Sequence, residues 1–192
     1  MEKNTNNVGS AGTLEFSLPD TDGVVRNLSE FTASGPAVVV YARGAWCPYC
    51  LRQLSDYGEQ YRVFKESGVE VLAVSPESPR RSRRMRTGLK LPFAVLSDTK
   101  LEAAKHLGLI GHEKPGEPTP ATLVLDREGV KLSTLNQWEK SLLARDVLEF
   151  VRASMRAVAA AEPVPTPQVA KPRPGILFAK AVTNMVAGLV IR

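Results

Sequence analysis

Val38-Val39-Val40-Tyr41 is an unbroken run of β-branched and aromatic residues, the pattern of a strand buried on both faces. After Gly44 the period changes: Leu51 and Leu54 recur at helical spacing, and the pattern predicts a helix to about residue 66, stopped by Ser67-Gly68. Before the run, apolar–polar alternation at 14–18 and apolar residues at 24–28 flank Pro19-Asp20-Thr21-Asp22-Gly23, which reads as a β-hairpin. Ser29 would cap a short helical turn through Phe31. Further on, the pattern predicts a buried strand at 69–74, a basic helix at 80–87 and a short strand at 91–96. A helix at 99–107 closed by Gly108 and a polar Pro/Gly-rich loop at 109–119 come next. Strands at 121–125 and 130–135 around a turn at 127–129 then lead into an amphipathic helix at 138–158. Leu142, Leu143, Val147, Phe150, Val151 and Met155 fall on one side of it.

Strands alternating with helices, then a terminal hairpin and helix, define an α/β fold: a central sheet with helices on both faces and an N-terminal hairpin extension. The 192 residues suffice for one domain with appendages, and 43% apolar residues is ordinary for a globular chain. We expect a disordered N-terminus at 1–12, the domain at 13–160, a proline-rich linker at 161–175 and an apolar segment at 176–192. That last segment is interrupted by Lys180 and Asn184 and is shorter than a membrane span. It suits a helix packed on the domain or on a second subunit better than a membrane contact.

Chemistry concentrates where strand gives way to helix, at Trp46-Cys47-Pro48-Tyr49-Cys50. Cysteines at i and i+3 at a helix start put both sulfurs on one face. There the unpaired N–H groups and the positive end of the dipole favour a thiolate. Pro48 suits the first helical position. Two cysteines this close close too short a loop to act as a structural staple, so the pair reads as a redox switch. The polar N-terminus has no apolar signal core, which fits a reducing, cytoplasmic setting.

With these motifs the chain resembles the AhpC/TSA redoxins, the peroxiredoxin-like and TlpA-type branch of the thioredoxin fold. Residues 14–135 carry the likeness: Phe16-Ser17-Leu18-Pro19-Asp20, the Trp-Cys-Pro-Tyr-Cys motif, Leu96-Ser97-Asp98, and Thr119-Pro120 ahead of the 121–126 stretch. The resemblance implies a mixed sheet and a dithiol/disulfide cycle in cell redox homeostasis. In it the more exposed Cys47 attacks and the more buried Cys50 resolves. It also implies a cis Pro120 that, with Thr119, packs against the cysteines and presents backbone to a substrate chain. Arg43, Trp46, Pro48 and Tyr49 are the supporting residues. Pro-Tyr between the cysteines is the glutaredoxin dipeptide, whose pairs sit at about −200 to −230 mV. Gln53 stands where TlpA-type reductases often carry an acid.

The favoured reading is a thiol–disulfide oxidoreductase. The alternative is a peroxiredoxin-like thiol peroxidase, and a second alternative is a redox-sensitive binding protein without turnover. The peroxiredoxin pattern Pro-x-x-x-Thr-x-x-Cys is incomplete. Aligning Cys50 puts Arg43 at the Pro and Cys47 at the Thr; aligning Cys47 puts Val40 and Gly44 there. Expected partners are a protein disulfide or hydroperoxide substrate and a thiol reductant of the thioredoxin or glutathione type, with a homodimer as one form of assembly. No cofactor, metal or nucleic acid is expected. Cys47 and Cys50 with His106 and His112 reach a zinc-site count, but 55 residues separate the pairs. The run Arg80, Arg81, Arg83, Arg84, Arg86, Lys90 lacks aromatic platforms for nucleic acid and reads as a solvated face or a dock for an acidic redox partner.

Overall fold

The computed structural model describes residues 14–111, 116–129, 131–136 and 143–165. The expected N-terminal tail, His112, and the 166–192 part of the linker and apolar segment lie outside them, as do residues 137–142.

The hairpin forms from β1 (Ser17–Pro19) and β2 (Val25–Asn27), paired antiparallel as a small separate sheet. Asp20 Oδ1 accepts the Asp22 and Val24 N–H groups at 2.8 and 3.0 Å, and Gly23 takes the left-handed conformation that the turn needs. Helix α1 (Leu28–Thr32) follows, capped by Asn27, two residues ahead of the Ser29 cap read from sequence. The Asn27 N–H is held at 2.8 Å by the Glu30 carboxylate, as in a capping box.

The main sheet has the order β5-β4-β3-β6-β7. Strand β3 (Ala37–Tyr41) lies at its centre, parallel to β4 (Glu70–Ser75) and antiparallel to β6 (Ala121–Leu125). Strand β5 (Ala94–Ser97) extends it parallel to β4, and β7 (Lys131–Asn136) antiparallel to β6. All five residues of β3 are buried, as the unbroken apolar run requires.

Alternate residues feed two cores. Val38 and Val40 pack with α2 (Pro48–Glu66), α5 (Ala144–Ala159) and Met85 of α3 (Pro79–Gly88). Ala37, Val39 and Tyr41 pack with α1, the hairpin and α4 (Glu102–His106) on the other face. Helix α2 turns Cys50, Leu51, Leu54, Tyr57 and Phe64 inward, so its N-terminus is held rigidly at one end of the sheet.

Two elements are shorter than the pattern suggested, and a side chain marks where the described part of a third begins, residues 138–142 of its expected span lying outside those described. Helix α4 starts at Glu102 because the Asp98 carboxylate accepts the Ala103 and Ala104 N–H groups at 3.3 and 2.9 Å, leaving 99–101 as the turn into it. Strand β5 starts at Ala94 because the Leu91 N–H still closes α3 on the Arg86 carbonyl and Pro92 has no ladder donor. Helix α5 starts at Ala144, where the Ala144 N–H donates to Asp56 at 2.7 Å. Val164, in the expected linker, packs against the α2/α5 core. No helix among the described residues is long and apolar enough to cross a membrane.

Candidate active site

Cys47 is the N-cap of α2 and Pro48 its first residue, as the spacing predicted. Both thiols are free, with their sulfurs 2.7 Å apart and hydrogen-bonded. The Cys47 sulfur also accepts the Cys50 backbone N–H at 3.4 Å and lies 3.7 Å from the Arg43 guanidinium. These contacts all favour negative charge on Cys47. The hydrogen bond from the Cys50 thiol acts most strongly, and the Cys50 N–H and Arg43 add to it. Together they outweigh the cost of burial and bring the Cys47 thiol down to about 6. The same bond, burial and the neighbouring negative charge push Cys50 well above the ordinary thiol range. The pair is thus divided into one thiolate and one proton-carrying thiol.

One expectation needs correcting: Cys47 is not the exposed member of the pair. Both cysteines are only 1% exposed. Arg43 stacks on the Trp46 ring, 4.8 Å from its centroid, and its guanidinium lies beside the Cys47 sulfur at 3.7 Å. Trp46 and Tyr49 are 53% and 62% exposed and form the rim.

A second correction concerns Pro120, for which the resemblance implied a cis bond; no cis peptide occurs among the described residues. The Thr119 N–H donates to the Leu109 carbonyl at 2.7 Å, and Pro118 bridges Ile110. This pairing keeps the chain extended as it runs into β6, which a trans peptide serves directly. Thr119 and Pro120 are both buried. Because Ala121 pairs with Tyr41, they enter at the end of the sheet from which the chain leaves β3 toward the cysteines.

One supporting group escaped the sequence reading, and a second was named there only as standing in the place of an acid. Glu77, 8% exposed, sits just after β4; one carboxylate oxygen accepts the Ala45 N–H at 3.2 Å and the other pairs with Arg81 at 3.2 Å. Gly44 has φ +142, and a β-carbon there would lie 2.9 Å from both the Glu77 carboxylate and the Trp46 indole nitrogen. Glu77 therefore clamps the loop that carries Arg43 and Trp46, and only glycine fits the clamp. The hint was a lone acid between Pro76 and Pro79, at the end of the strand next to β3. The second group is Gln53, whose amide donates to Thr122 Oγ1 at 2.9 Å and ties the cysteine helix to β6. His106 ends α4. Among the described residues no cluster of metal-ligating side chains occurs.

A reduced cysteine pair capping a helix beside the central strand of a mixed sheet defines a thioredoxin-fold redox protein. Residues 11–130 match the AhpC/TSA family, and the chain belongs to it. The chain is 30% identical over 139 residues to a chloroplastic peroxiredoxin Q of Suaeda salsa, a match that covers 72% of this chain and 64% of the relative. It is 33% identical over 122 residues to the peroxiredoxin Q of Oryza sativa subsp. japonica, covering 64% and 55% respectively. The matched segment thus spans less than two-thirds of the length of these relatives. Among solved structures, the peroxidoxin BcpB of Mycobacterium tuberculosis superposes with a TM-score of 0.68 at 23% identity, over 75% of this chain and 96% of that one. AhpC of Enterococcus faecalis superposes with a TM-score of 0.68 at 20% identity, over 81% and 98%. At those identities the structural likeness speaks for the fold.

Proposed function

We propose that this chain is a thiol peroxidase in which Cys47 attacks a hydroperoxide and Cys50 resolves the product. The observation that carries this reading is a buried Cys47 sulfur with the Cys50 thiol 2.7 Å away and the Arg43 guanidinium 3.7 Å away. The distal oxygen of a hydroperoxide is small enough to reach a buried sulfur beside the Arg43 guanidinium. A disulfide in a partner protein would have to bring a bulky sulfur in line with it. Burial therefore favours the runner-up reading over general disulfide exchange, and the peroxiredoxin Q names of the relatives lean the same way.

The Cys47 thiolate attacks the distal oxygen, the O–O bond breaks, and the leaving alkoxide takes a proton to become the alcohol. Cys47 is left as a sulfenic acid. Cys50 attacks that sulfur and water leaves, closing the Cys47–Cys50 disulfide. Two equivalents of a thiol, of the thioredoxin or glutathione type, reopen it. Arg43, 3.7 Å from the sulfur, serves as the cation beside the reacting atoms. It does so in a chain where neither register supplies the peroxiredoxin threonine. Trp46 and Tyr49 form the rim that a reductant would meet.

Steady-state assays with a dithiol reductant test this. Wild type should consume hydroperoxide and reduce insulin disulfides poorly. Cys47→Ser should lose peroxide turnover by at least about 1,000-fold. Peroxide turnover equal in Cys47→Ser and wild type, or efficient insulin reduction without peroxide consumption, would contradict the proposal.

A further inference from the structure

A cleft of about 520 Å³ lies between the turn of the β1–β2 hairpin and the C-terminal half of α3. Thr21, Asp22, Arg83, Arg86, Thr87 and Lys90 line it, and neither cysteine does. Its walls are held in place from both sides. Arg83 donates to the Thr21 carbonyl at 2.9 Å and pairs with Asp22 at 3.0 Å, and Arg86 reaches Thr21 Oγ1 at 3.4 Å. Thr21 itself is 3% exposed.

Asp22, the cleft's carboxylate, is matched by Arg83. Arg86 and Lys90 remain, and neither has an ion-pair partner among the described residues, so the cleft carries two positive charges with Thr21 and Thr87 hydroxyls beside them.

Lys90 is also in an unusual conformation. Its φ is +52, its N–H closes on the Thr87 carbonyl, and the next N–H, that of Leu91, closes on Arg86. This is the C′ position of a Schellman-type helix end, where glycine is favoured because a β-carbon is strained there. The helix dipole attracts a cation to the last turn of a helix, but Arg86 already stands there. A strained lysine facing a cationic cleft points to a ligand.

We propose that this cleft binds a phosphate dianion, free or as a phosphomonoester. A guanidinium fork, an ammonium and two hydroxyls suit a doubly charged tetrahedral anion. The volume leaves room for the organic part of a monoester. The site is separate from the thiols, so the proposal stands apart from the peroxidase reading.

The test uses the full chain and titrates inorganic phosphate and phenyl phosphate at fixed ionic strength, with chloride as the control, by calorimetry. Both probes should bind saturably, and tighter binding of phenyl phosphate assigns the site to monoesters while equal binding assigns it to the free ion. Lys90→Gly removes the backbone strain, so it should melt at or above the wild-type temperature and yet bind about tenfold more weakly. Arg86→Gln should weaken binding to a similar degree. The double variant Arg80→Gln/Lys100→Gln, which removes two exposed cations outside the cleft, should bind like wild type. Three results would overturn the proposal: no saturable binding of either probe, wild-type affinity in Lys90→Gly, or an equal loss in the double variant.

Discussion

The Cys47 sulfur carries charge near neutral pH because a thiol, a backbone N–H and a guanidinium all point toward it. Below about pH 6 it is protonated and inert; above, it is the nucleophile. Alkylation of the reduced protein by iodoacetamide should therefore rise through a midpoint near pH 6 and level off above it. A midpoint near the free-thiol value of 9.0 would contradict this assignment. Arg43→Gln removes the nearest cation and should move the midpoint up toward about 7, because a charged contact at this distance is worth on the order of one kcal/mol. Cys50→Ser keeps a hydroxyl donor beside the thiolate. Its midpoint should stay near the wild-type value, although the resolving step is lost.

The loop between β3 and α2 is where the site is most sensitive to a single β-carbon. Gly44→Ala places that carbon 2.9 Å from Glu77 and from the Trp46 ring in a left-handed backbone. It should destabilise the fold by about 1–3 kcal/mol in urea unfolding and slow peroxide turnover by displacing Arg43 and Trp46. An unchanged unfolding midpoint would mean that the loop is not clamped. The helix and strand that flank this loop were legible in the sequence because their apolar periods are continuous: β3 is buried along its whole length and α2 presents an unbroken stripe. Glu77 was not legible, since its contact with Ala45 spans 32 residues and depends on β4 lying next to β3. The start of α4 was missed for a related reason: the pattern put it at Thr99, yet the Asp98 carboxylate reaches on to the Ala103 and Ala104 N–H groups.

Across the whole molecule, the sheet separates two cores, and the one shared with α5 holds the cysteine helix against β3, while the hairpin, α1 and α4 cover the opposite face. Leu54 is fully buried on α2. Leu54→Ala should cost about 2–5 kcal/mol in unfolding free energy. The folded fraction should keep its alkylation midpoint near pH 6, because the contacts that set it lie at the helix start. A shifted midpoint in the folded fraction would mean that the deep core tunes the thiolate. At this level the α/β order and the N-terminal hairpin followed from alternation and turn chemistry, and the mixed sheet from the family resemblance. The depth of the thiols did not: it depends on the packing of α2 and on the loop that Glu77 holds through the Ala45 N–H, with Arg43 beside the Cys47 sulfur. The trans Thr119–Pro120 bond likewise depends on the Ile110–Pro118 bridge, a pairing within a stretch that reads as loop.

The most direct test of the account is to treat reduced Cys50→Ser with one equivalent of hydrogen peroxide, add a sulfenic-acid-specific probe and locate the adduct by mass spectrometry. The account predicts an adduct on Cys47, and wild type treated in the same way should carry the Cys47–Cys50 disulfide instead. An unmodified Cys47 in Cys50→Ser, together with a Cys50 adduct in Cys47→Ser at undiminished peroxide consumption, would contradict it.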